Sequence, residues 1–435
     1  MDMFNISAIS PLVWILLGLG LVAAVVAIIL GSGRFPQLIR MIRMQAMDDE
    51  PAIEPEYVEN SAEEVSVEET IAEESVSEEA VEEESVVEEK EVKEVPKISI
   101  IAYTRGEVEE VGEFLRAVSE QDYPSVEVVV VFDGPAREAA NLAETYGETY
   151  PFAGFSFVPP EALNLSRRKL ANTIGIKKAT GDIVLTTYTN IEIPSRRWLS
   201  LMASQFTDQE VEIVLGAAFM DLSRLTGLKR WYRGFDTLLT TSRWMLYAID
   251  GKPYRGDGAN LAFRRSMFFR NSGYGNNYFL HAGDDDIFVS QVATASNSRF
   301  MLAPQATIRV DWGDASRRQW INFKERYSFA GRYLSAAPRL TQACINIAEW
   351  LATGSLAAVM ALCLPANLLA PIIALVLLLT MWGMQISLYR RLAATFHTVR
   401  LWWSVPLFYL IRPIADFTFR VRYMRRANQN FTWRR

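Results

Sequence analysis

The sequence predicts an α/β protein with a mostly parallel sheet flanked by helices, and with membrane helices at both its N-terminal and its C-terminal end. Three observations support this prediction. Short β-branched segments alternate with amphipathic helical segments in the middle of the 435-residue chain. Long apolar segments lie near residue 20 and beyond residue 340. An acidic stretch of low complexity separates the first apolar segment from the alternating region.

The formal charge of −7 is distributed unevenly along the chain. Residues 48–95 contain 21 Asp and Glu residues against Lys90 and Lys93, whereas the rest of the chain carries a charge of +12. Self-repulsion and scarce apolar side chains predict that residues 48–95 form a disordered, extended tether. This distribution excludes a single soluble acidic domain and a nucleic-acid binder that works through bulk charge, so no nucleic-acid partner is expected.

The first apolar segment, residues 11–30, is long enough to cross a hydrocarbon core of roughly 30 Å. The basic residues Arg34, Arg40 and Arg43 follow it, whereas the only charged side chain before it is that of Asp2. Because a cleaved signal peptide has the opposite charge order, we expect an uncleaved anchor whose C-terminal side lies in the cytoplasm.

The C-terminal part contains two further candidate membrane helices, at 345–364 and 368–388, which return the chain to the cytoplasm before its basic tail. Residues 401–419 are apolar but contain Arg412 and Asp416, which favours an interfacial or re-entrant helix over a fourth span. We therefore predict a multi-pass protein of the cell membrane with a cytoplasmic α/β domain. Its parts are an anchor at 1–33, a basic segment and acidic linker at 34–95, the α/β domain at 96–335 and a membrane region at 336–435.

The α/β domain begins with a β-α-β unit. Residues 97–103 and 126–132, KISIIAY and VEVVVVF, lack polar alternation, as expected of strands covered on both faces. Residues 107–121 between them carry apolar side chains at helical spacing. A helix at 167–178 and a strand at 182–187 repeat the pattern, so a mostly parallel sheet is predicted over about 97–220.

The predicted strands end in residues that can bind a ligand. Thr104 follows the first strand, and Asp133 and Gly134 follow the second. In an open parallel sheet, ligands bind at the carboxyl ends of the strands, where the Asp133 carboxylate can accept a hydrogen bond from a base or a ribose. The alternative is an ordinary Asp-Gly-Pro turn. Residues 256–263 likewise form either a turn with polar groups for a sugar or simply a turn that enters an apolar strand.

The densest carboxylate cluster of the α/β domain is Asp284, Asp285 and Asp286, directly after Gly283. Adjacent carboxylates repel one another, so such a cluster is typical of a site that holds a cation or a proton. A general base that takes a proton from a sugar hydroxyl would be a carboxylate of this kind. The alternative, acids that cap a helix, accounts for one or two of the three.

Residues 317–326 are basic and aromatic and lie just before the C-terminal membrane region. Trp320 and Lys324 share one face of the predicted helix. Guanidinium and ammonium groups can hold a diphosphate, and an indole can stack on a sugar ring. A juxtamembrane segment that binds anionic lipid headgroups would have the same composition, so both interpretations stay open.

In this order, the segments resemble family 2 glycosyltransferases, which are membrane-attached enzymes of the GT-A fold, over about residues 97–330. The resemblance rests on ISIIAYTRGE, QDYP, VVVVFDGP, LSRRKLANTIGIKKATGDIVL, GANLAF and the GDDD at 283–286. Residues 318–326 are loosely similar to the Q-x-x-R-W motif of that family. The predicted fold is accordingly a GT-A-type α/β fold.

The resemblance implies transfer of a sugar from a nucleotide-diphosphate sugar to a hydroxyl, with inversion of the anomeric centre. It implies Asp285 as the general base, with Asp284 supporting it. The nucleotide-sugar donor would be bound by Asp133, Thr104, Arg168, Lys169, Asn190, Lys324, Arg326 and Trp320. Because the tether and the membrane helices hold the site at the lipid bilayer, the expected acceptor is a membrane-proximal or lipid-linked glycan, as in polysaccharide biosynthesis at the cell envelope.

The chain departs from that family at the D-x-D motif, whose carboxylates bind a divalent metal under the diphosphate. After GDIVL the sequence continues TTYTNIEI, in which Asn190 and Glu192 are the remaining oxygen ligands of the right class. Three interpretations stay open. Glu192 and the acids at 284–286 hold Mg²⁺ or Mn²⁺, cationic side chains replace the metal, or the domain is inactive.

Two other functions are considered beside a single-addition transferase. A catalytically inactive transferase-like protein would bind a glycan or scaffold a membrane glycan-assembly complex, and it would show no nucleotide binding. A processive polysaccharide synthase would be expected to carry a complete Q-x-x-R-W motif and more membrane spans.

Overall fold

The structure is a computed structural model that describes residues 9–47, 95–106, 108–162, 165–313, 316–364, 367–399 and 403–427. The predicted acidic linker, apart from Val95, and the last eight residues of the basic tail lie outside these ranges.

The described strands form two sheets. In chain order they are β1 (Ile98–Thr104), β2 (Val126–Phe132), β3 (Ala153–Phe157), β4 (Ile183–Tyr188), β5 (Ile191–Glu192), β6 (Ile213–Gly216), β7 (Ala218–Met220), β8 (Leu261–Arg264), β9 (Ser298–Met301) and β10 (Ile308–Val310). The larger sheet has the order β3-β2-β1-β4-β8-β6-β9, and only β8 runs antiparallel to its neighbours. The smaller sheet has the order β5-β10-β7.

The helices surround these sheets and extend beyond them at both ends of the described chain. They are α1 (Pro11–Gly31), α2 (Phe35–Met47), α3 (Val108–Ser119), α4 (Ala136–Tyr146), α5 (Arg167–Lys178), α6 (Trp198–Ser204), α7 (Gly227–Ile249), α8 (Arg265–Arg270), α9 (Asp286–Val292), α10 (Arg317–Ala330), α11 (Ala336–Cys363), α12 (Leu369–Thr395) and α13 (Val405–Ala427).

The predicted fold class is confirmed. The β-α-β unit corresponds to β1, α3 and β2, and its repeat corresponds to α5 and β4. The sheet extends beyond the predicted range of 97–220, because β8 and β9 come from residues after 260. These strands are short, at four residues each, so periodicity alone does not distinguish them from other short apolar runs.

Alternate residues of β1 pack into two different cores, which explains its uninterrupted apolar sequence. Ile100 packs with Phe114 of α3 and Trp198 of α6 on one face of the sheet. Ile101, on the other face, belongs to a core that includes Ala171 of α5 and Phe235 of α7. Both isoleucines are fully buried, as expected of a central strand covered on both faces.

Three helical stretches are long and apolar enough to cross a membrane: Pro11–Met47, Ala336–Cys363 and Leu369–Thr395. They contain the three predicted spans to within one residue, and the two C-terminal helices are longer than predicted. Helix α13 is not among them, and its location in the membrane interface stays a prediction. Helix α1 packs closely on α11, because a Cβ at Gly20 would lie 2.7–2.8 Å from side-chain atoms of Leu356 and Ser355.

The membrane helices and the α/β domain share one hydrophobic core. Leu38 and Ile42 of α2 are buried in the same cluster as Phe235 of α7. Tyr389 of α12 stacks on Phe235 with ring centroids 5.2 Å apart, and Tyr409 of α13 packs edge-on against the same ring. The apolar face of α2 therefore holds the juxtamembrane segment against the α/β domain.

Candidate functional site

Charged side chains from distant parts of the sequence meet beside the carboxyl ends of β1, β2 and β4. We call this group the candidate site. It comprises residues at the ends of β2 and β4, residues of the first turn of α5, residues of the segments before β8 and α9, and one residue of α10. Its members are Asp133, Arg167, Arg168, Tyr188, Asp257, Asp284, Asp285 and Arg326.

The candidate site has two halves, one around Asp133 and one around Asp284 and Asp285. Asp133 lies at the end of β2. Its side chain is 1% exposed and accepts hydrogen bonds from Tyr103, Arg105 and Arg167. Thr104 positions it, because the Thr104 carbonyl accepts a hydrogen bond of 2.8 Å from the Asp133 backbone N–H. Burial alone would raise the pKa of Asp133, but the Tyr103 hydroxyl and the Arg105 guanidinium hold that pKa below its ordinary value.

Two consecutive arginines at the start of α5 contact the two halves of the candidate site. Arg167 pairs with Asp133, whereas the Nε of Arg168 lies 2.6 Å from a carboxylate oxygen of Asp284. Ser166 caps the helix by accepting a hydrogen bond from the Lys169 N–H. The first turn of α5 thus brings two guanidinium groups and the positive end of a helix dipole to the carboxyl edge of the sheet.

Arg168 lies against the end of β4. Its guanidinium carbon lies 4.2 Å from the ring centroid of Tyr188, the last residue of β4. Gly258 leaves room for it, because a Cβ there would lie 2.4 Å from an Arg168 guanidinium nitrogen. Burial would lower the pKa of Arg168, but the Asp284 carboxylate raises it above its ordinary value, so the group is a permanent cation.

Asp285 is the N-cap of α9 and is held by backbone donors. Its carboxylate accepts hydrogen bonds from the Asp286 N–H at 2.7 Å and from the Gly258 N–H at 3.2 Å. Burial would raise the pKa of Asp285, but Arg168 and the two N–H groups hold it below its ordinary value. The capping role expected as an alternative is therefore real, and it leaves Asp285 ionised beside a cation.

The other two carboxylates of the run have different partners. Asp284 lies between Arg168 and the partly exposed Arg326, whose guanidinium is 3.6 Å away. Asp286 pairs at 3.2 Å with Arg255, which is itself stacked 3.6 Å from the ring centroid of Tyr327. Burial raises the pKa of Asp286 well above its ordinary value despite this arginine. The three adjacent acids are thus tolerated because arginines pair with Asp284 and Asp286, and because the raised pKa of Asp286 favours its neutral form.

Burial, together with the nearby carboxylate of Asp285, raises the pKa of Asp257 to about 6, against hydrogen bonding from the Ala259 N–H. The folded state therefore favours the protonated form, and this stability is lost as the pH rises through about 6. Asp257→Asn stays neutral, so we expect it to stabilise the protein by about 3 kcal/mol at pH 8 but by only about 1 kcal/mol at pH 4.5. Thermal unfolding at both pH values measures the difference, with the exposed Asp182→Asn as control. An equal effect of Asp257→Asn at both pH values would contradict the assignment.

Lys324 and Trp320 lie away from these side chains, on a face of α10 that packs against α7 and α13. The Lys324 ammonium lies 2.9 Å from Asp236 of α7 and 2.8 Å from Asp416 of α13. Trp320 is buried in an apolar cluster with Met220 and Leu222. The predicted shared helical face is confirmed, but it faces the protein interior rather than the candidate site.

Lys169 and Asn190 are also engaged in contacts within the protein. The fully buried Lys169 ammonium donates to the carbonyls of Asn277 and Leu280 at 2.8 and 3.1 Å, which holds the loop before the acid run. The Asn190 amide donates to the Asp311 carbonyl. Glu192 is exposed on β5, opposite Arg309 of β10.

These residues do not fit a divalent cation. Within the described ranges, no group of three or more His, Cys, Asp or Glu side chains is arranged to hold a metal ion. The carboxylates nearest to Tyr188 already face Arg168, and Mg²⁺ or Mn²⁺ would require several free oxygen ligands. The donor set of the candidate site suits an anion between arginines instead.

Sequence reasoning missed Arg105 and Arg167, which pair with Asp133, and Arg255, which pairs with Asp286 next to the candidate site. The neighbouring arginines 167 and 168 at a predicted helix start could have indicated this contact, because side chains of a first helical turn tilt toward the N-terminal end of the helix. Arg255 had no such signal, since its contact with Asp286 depends on how two loops fold together.

Several solved structures resemble the chain at low similarity. A mannosyltransferase, PcManGT from Pyrobaculum calidifontis, in complex with GDP-Man and Mn²⁺, is 19% identical with a TM-score of 0.45, over 74% of this chain and 87% of that one. TarS 1–349 from S. aureus is 15% identical with a TM-score of 0.36, over 78% and 93%. Glucosyl-3-phosphoglycerate synthase from Mycobacterium tuberculosis, in complex with phosphoglyceric acid, is 14% identical with a TM-score of 0.34, over 54% and 79%. No curated protein sequence matches the chain.

The family comparison identifies the class of enzyme. The model of glycosyl transferase family 21 matches residues 70–435, which include all of the described α/β domain and the C-terminal membrane helices. The glycosyltransferase character expected from the motifs is confirmed, and the matching family is family 21 instead of family 2. The extent of the match shows that this chain is a glycosyltransferase that belongs to glycosyl transferase family 21.

Proposed function

We propose that the protein transfers a sugar from a nucleotide-diphosphate sugar to a hydroxyl of a membrane-proximal or lipid-linked glycan, with inversion of the anomeric carbon. The observation that carries this proposal is the ion pair of Arg168 with Asp284, next to the partly buried carboxylate of Asp285, beside the carboxyl ends of parallel strands. A cation for the leaving diphosphate and a carboxylate for the acceptor hydroxyl are the two groups that such a reaction needs.

In this proposal Asp133 faces the nucleoside, and Arg168 and Arg326 receive the diphosphate. The acceptor oxygen attacks the anomeric carbon as the bond to the diphosphate breaks, and the hydroxyl proton passes to Asp285. When Arg168 moves toward the diphosphate, its hold on Asp285 weakens. The pKa of Asp285 then rises from its lowered value toward the range of a working base.

The arginines take the place of a divalent metal in this proposal. Tyr188 and Asn190 stand where the D-x-D carboxylates are expected, and Arg168 lies against the Tyr188 ring. A guanidinium can bind a diphosphate through two parallel hydrogen bonds. The D-x-D pattern of family 2 would instead imply an enzyme that depends on Mg²⁺ or Mn²⁺. The experiment below distinguishes these two hypotheses.

The orientation and the acceptor class belong to the same proposal. Basic residues follow α1 and lie near the end of α12; they are Arg34, Arg40, Arg43, Arg390 and Arg391. Their positions support an α/β domain on the cytoplasmic side. The core shared by α2, α7 and α12 holds the candidate site close to the bilayer. An acceptor in or on the membrane can therefore reach it without a mobile carrier domain.

We expect Arg168→Gln to weaken nucleotide-diphosphate-sugar binding and turnover by about 10²-fold, because it removes a charge-assisted bidentate contact. The wild-type protein should bind the donor equally well in EDTA and in Mn²⁺. Calorimetry and turnover of the purified full chain in detergent, with a panel of uridine and guanosine diphosphate sugars, measure both effects. Lys177→Gln, exposed at the end of the same helix, is the matched control.

Three outcomes would contradict the proposal. Donor binding that requires Mn²⁺ would show a metal site in place of the arginines. Unchanged binding in Arg168→Gln would remove that residue from the donor site. Absence of any nucleotide binding would favour the inactive scaffold, for which the missing D-x-D carboxylates are the supporting observation.

A further inference from the structure

A cavity separate from the candidate site lies on the side of the α/β domain that adjoins the candidate membrane helices. It has a volume of about 430 Å³, which is in the range of small-molecule sites. The N-terminal half of α7, the end of β7, one residue of β10 and the turn after α12 line it. The side chains that matter here are Arg230, Trp231, Arg309, Asp221, Met220 and Val399.

The cavity contains two guanidinium groups with unused donors. The buried Nε of Arg230 has no hydrogen-bond partner among the described residues. Arg309 donates one hydrogen bond of 2.6 Å to the His397 carbonyl. The lining carboxylate, Asp221, accepts hydrogen bonds from the Ser223 N–H and hydroxyl at 2.8 and 2.6 Å. A buried donor without a partner is costly, so the cavity favours an anionic guest.

The position of the cavity selects the source of that anion. His397 and Val399 line it and follow α12 by only a few residues, so the cavity lies at the end of a candidate membrane span. Its remaining lining is mixed, with Ser223, Thr237 and Thr398 beside apolar side chains such as Met220 and Trp231. A phosphate attached to an apolar chain matches the guanidinium groups, the apolar part of the lining and the position at the end of a candidate span, whereas a free anion matches only the guanidinium groups.

The smaller sheet connects the cavity to the candidate site. Arg309 lies on β10, and the next residue after that strand, Asp311, donates its backbone N–H to the Asn190 carbonyl at 2.8 Å. Asn190 is two residues beyond Tyr188, whose ring contacts Arg168. A molecule held in the cavity therefore lies one short strand away from the proposed site of transfer.

We propose that this cavity binds the phosphate headgroup of the membrane lipid that carries the acceptor, through Arg230 and Arg309. The assignment rests on the proposed function, because it names the chemical class of the acceptor. It separates two anion sites: Arg168 and Arg326 serve the diphosphate of the donor, and Arg230 and Arg309 serve the phosphate of the acceptor lipid.

The test measures binding of dihexanoyl phosphatidic acid to the full chain in phosphatidylcholine nanodiscs by calorimetry. We expect saturable binding that weakens at least tenfold in the double variant R230Q/R309Q. The matched control, R116Q/R137Q, removes two exposed arginines from α3 and α4 and should bind like the wild type. Binding of a nucleoside diphosphate, measured in the same samples, should stay unchanged in both double variants, which also shows that they are folded.

Two results would overturn the assignment. Wild-type affinity for the phosphatidic acid in R230Q/R309Q would exclude the cavity as its site. Inorganic phosphate that binds as tightly as the lipid would show a site for a free anion. Because the nucleoside diphosphate is measured separately, loss of donor binding with intact lipid binding would count against the proposed function and not against this cavity.

Discussion

Asp285→Asn is expected to lower the rate of sugar transfer by roughly 10²–10⁴-fold, the usual contribution of a general base. The substitution keeps the shape of the side chain and one carbonyl oxygen that can accept from the Asp286 N–H, so the cap of α9 should survive. What it removes is the group that takes the hydroxyl proton. Turnover of a nucleotide sugar by purified protein, with donor binding measured in parallel, separates lost chemistry from lost binding.

Asp182→Asn is the control for this experiment, because Asp182 is an exposed carboxylate outside the candidate site. It should be as active as the wild type. If Asp285→Asn also turns over at the wild-type rate, Asp285 is only a helix cap, and the base must be sought elsewhere, with Asp257 the next carboxylate to test.

Asp236→Asn is expected to destabilise the folded protein by about 3–5 kcal/mol, because it leaves two buried cations without their shared partner. The Asp236 side chain, 1% exposed, binds Lys324 at 2.9 Å and Arg412 at 2.6 Å. Asp416 lies 2.8 Å from Lys324 and completes a cluster of two acids and two bases. This cluster joins α7, α10 and α13, so its loss should loosen the membrane region from the α/β domain. Thermal unfolding in detergent, followed by circular dichroism, measures the effect.

The matched control is Asp208→Asn, which breaks an exposed ion pair with Arg299 at 3.0 Å. Exposed pairs contribute about 0–1 kcal/mol, so this variant should unfold close to the wild type. If both variants unfold at the same temperature, the cluster at Asp236 contributes no more than a surface pair, and the proposed attachment of α13 to the α/β domain is wrong.

The central strands and the helix at 167–178 could be predicted because burial leaves a direct trace in the local sequence. Strand β2 is covered on both faces, and four valines in succession record this coverage. The same holds for α1, whose uncharged length indicates a membrane span. Strand β9 left a weaker trace, because its four residues include Ser298 and Arg299 and it was identified only by pairing with β6.

Of the predicted site residues, the structure brings Asp133, Arg168, Asp284, Asp285 and Arg326 together, and their roles stay predictions until they are tested. Lys324 shows where the sequence alone was insufficient. Its spacing from Trp320 correctly predicted that both side chains lie on one helical face. An ammonium group on such a face can bind either a diphosphate or a pair of buried carboxylates, and the structure shows the carboxylates. Those carboxylates, Asp236 and Asp416, are 88 residues before and 92 residues after it.

The sequence by itself determined the order of the elements, the apolar spans, the acid run at 284–286 and the missing D-x-D carboxylates, because each is a property of neighbouring residues. Only the tertiary structure decided which cation meets which acid: Arg168 with Asp284, Arg255 with Asp286 and Lys324 with Asp236. The reason is that an ion pair depends on the distance between two side chains in space. In a folded chain that distance is set by how whole helices and loops pack, which local spacing does not record.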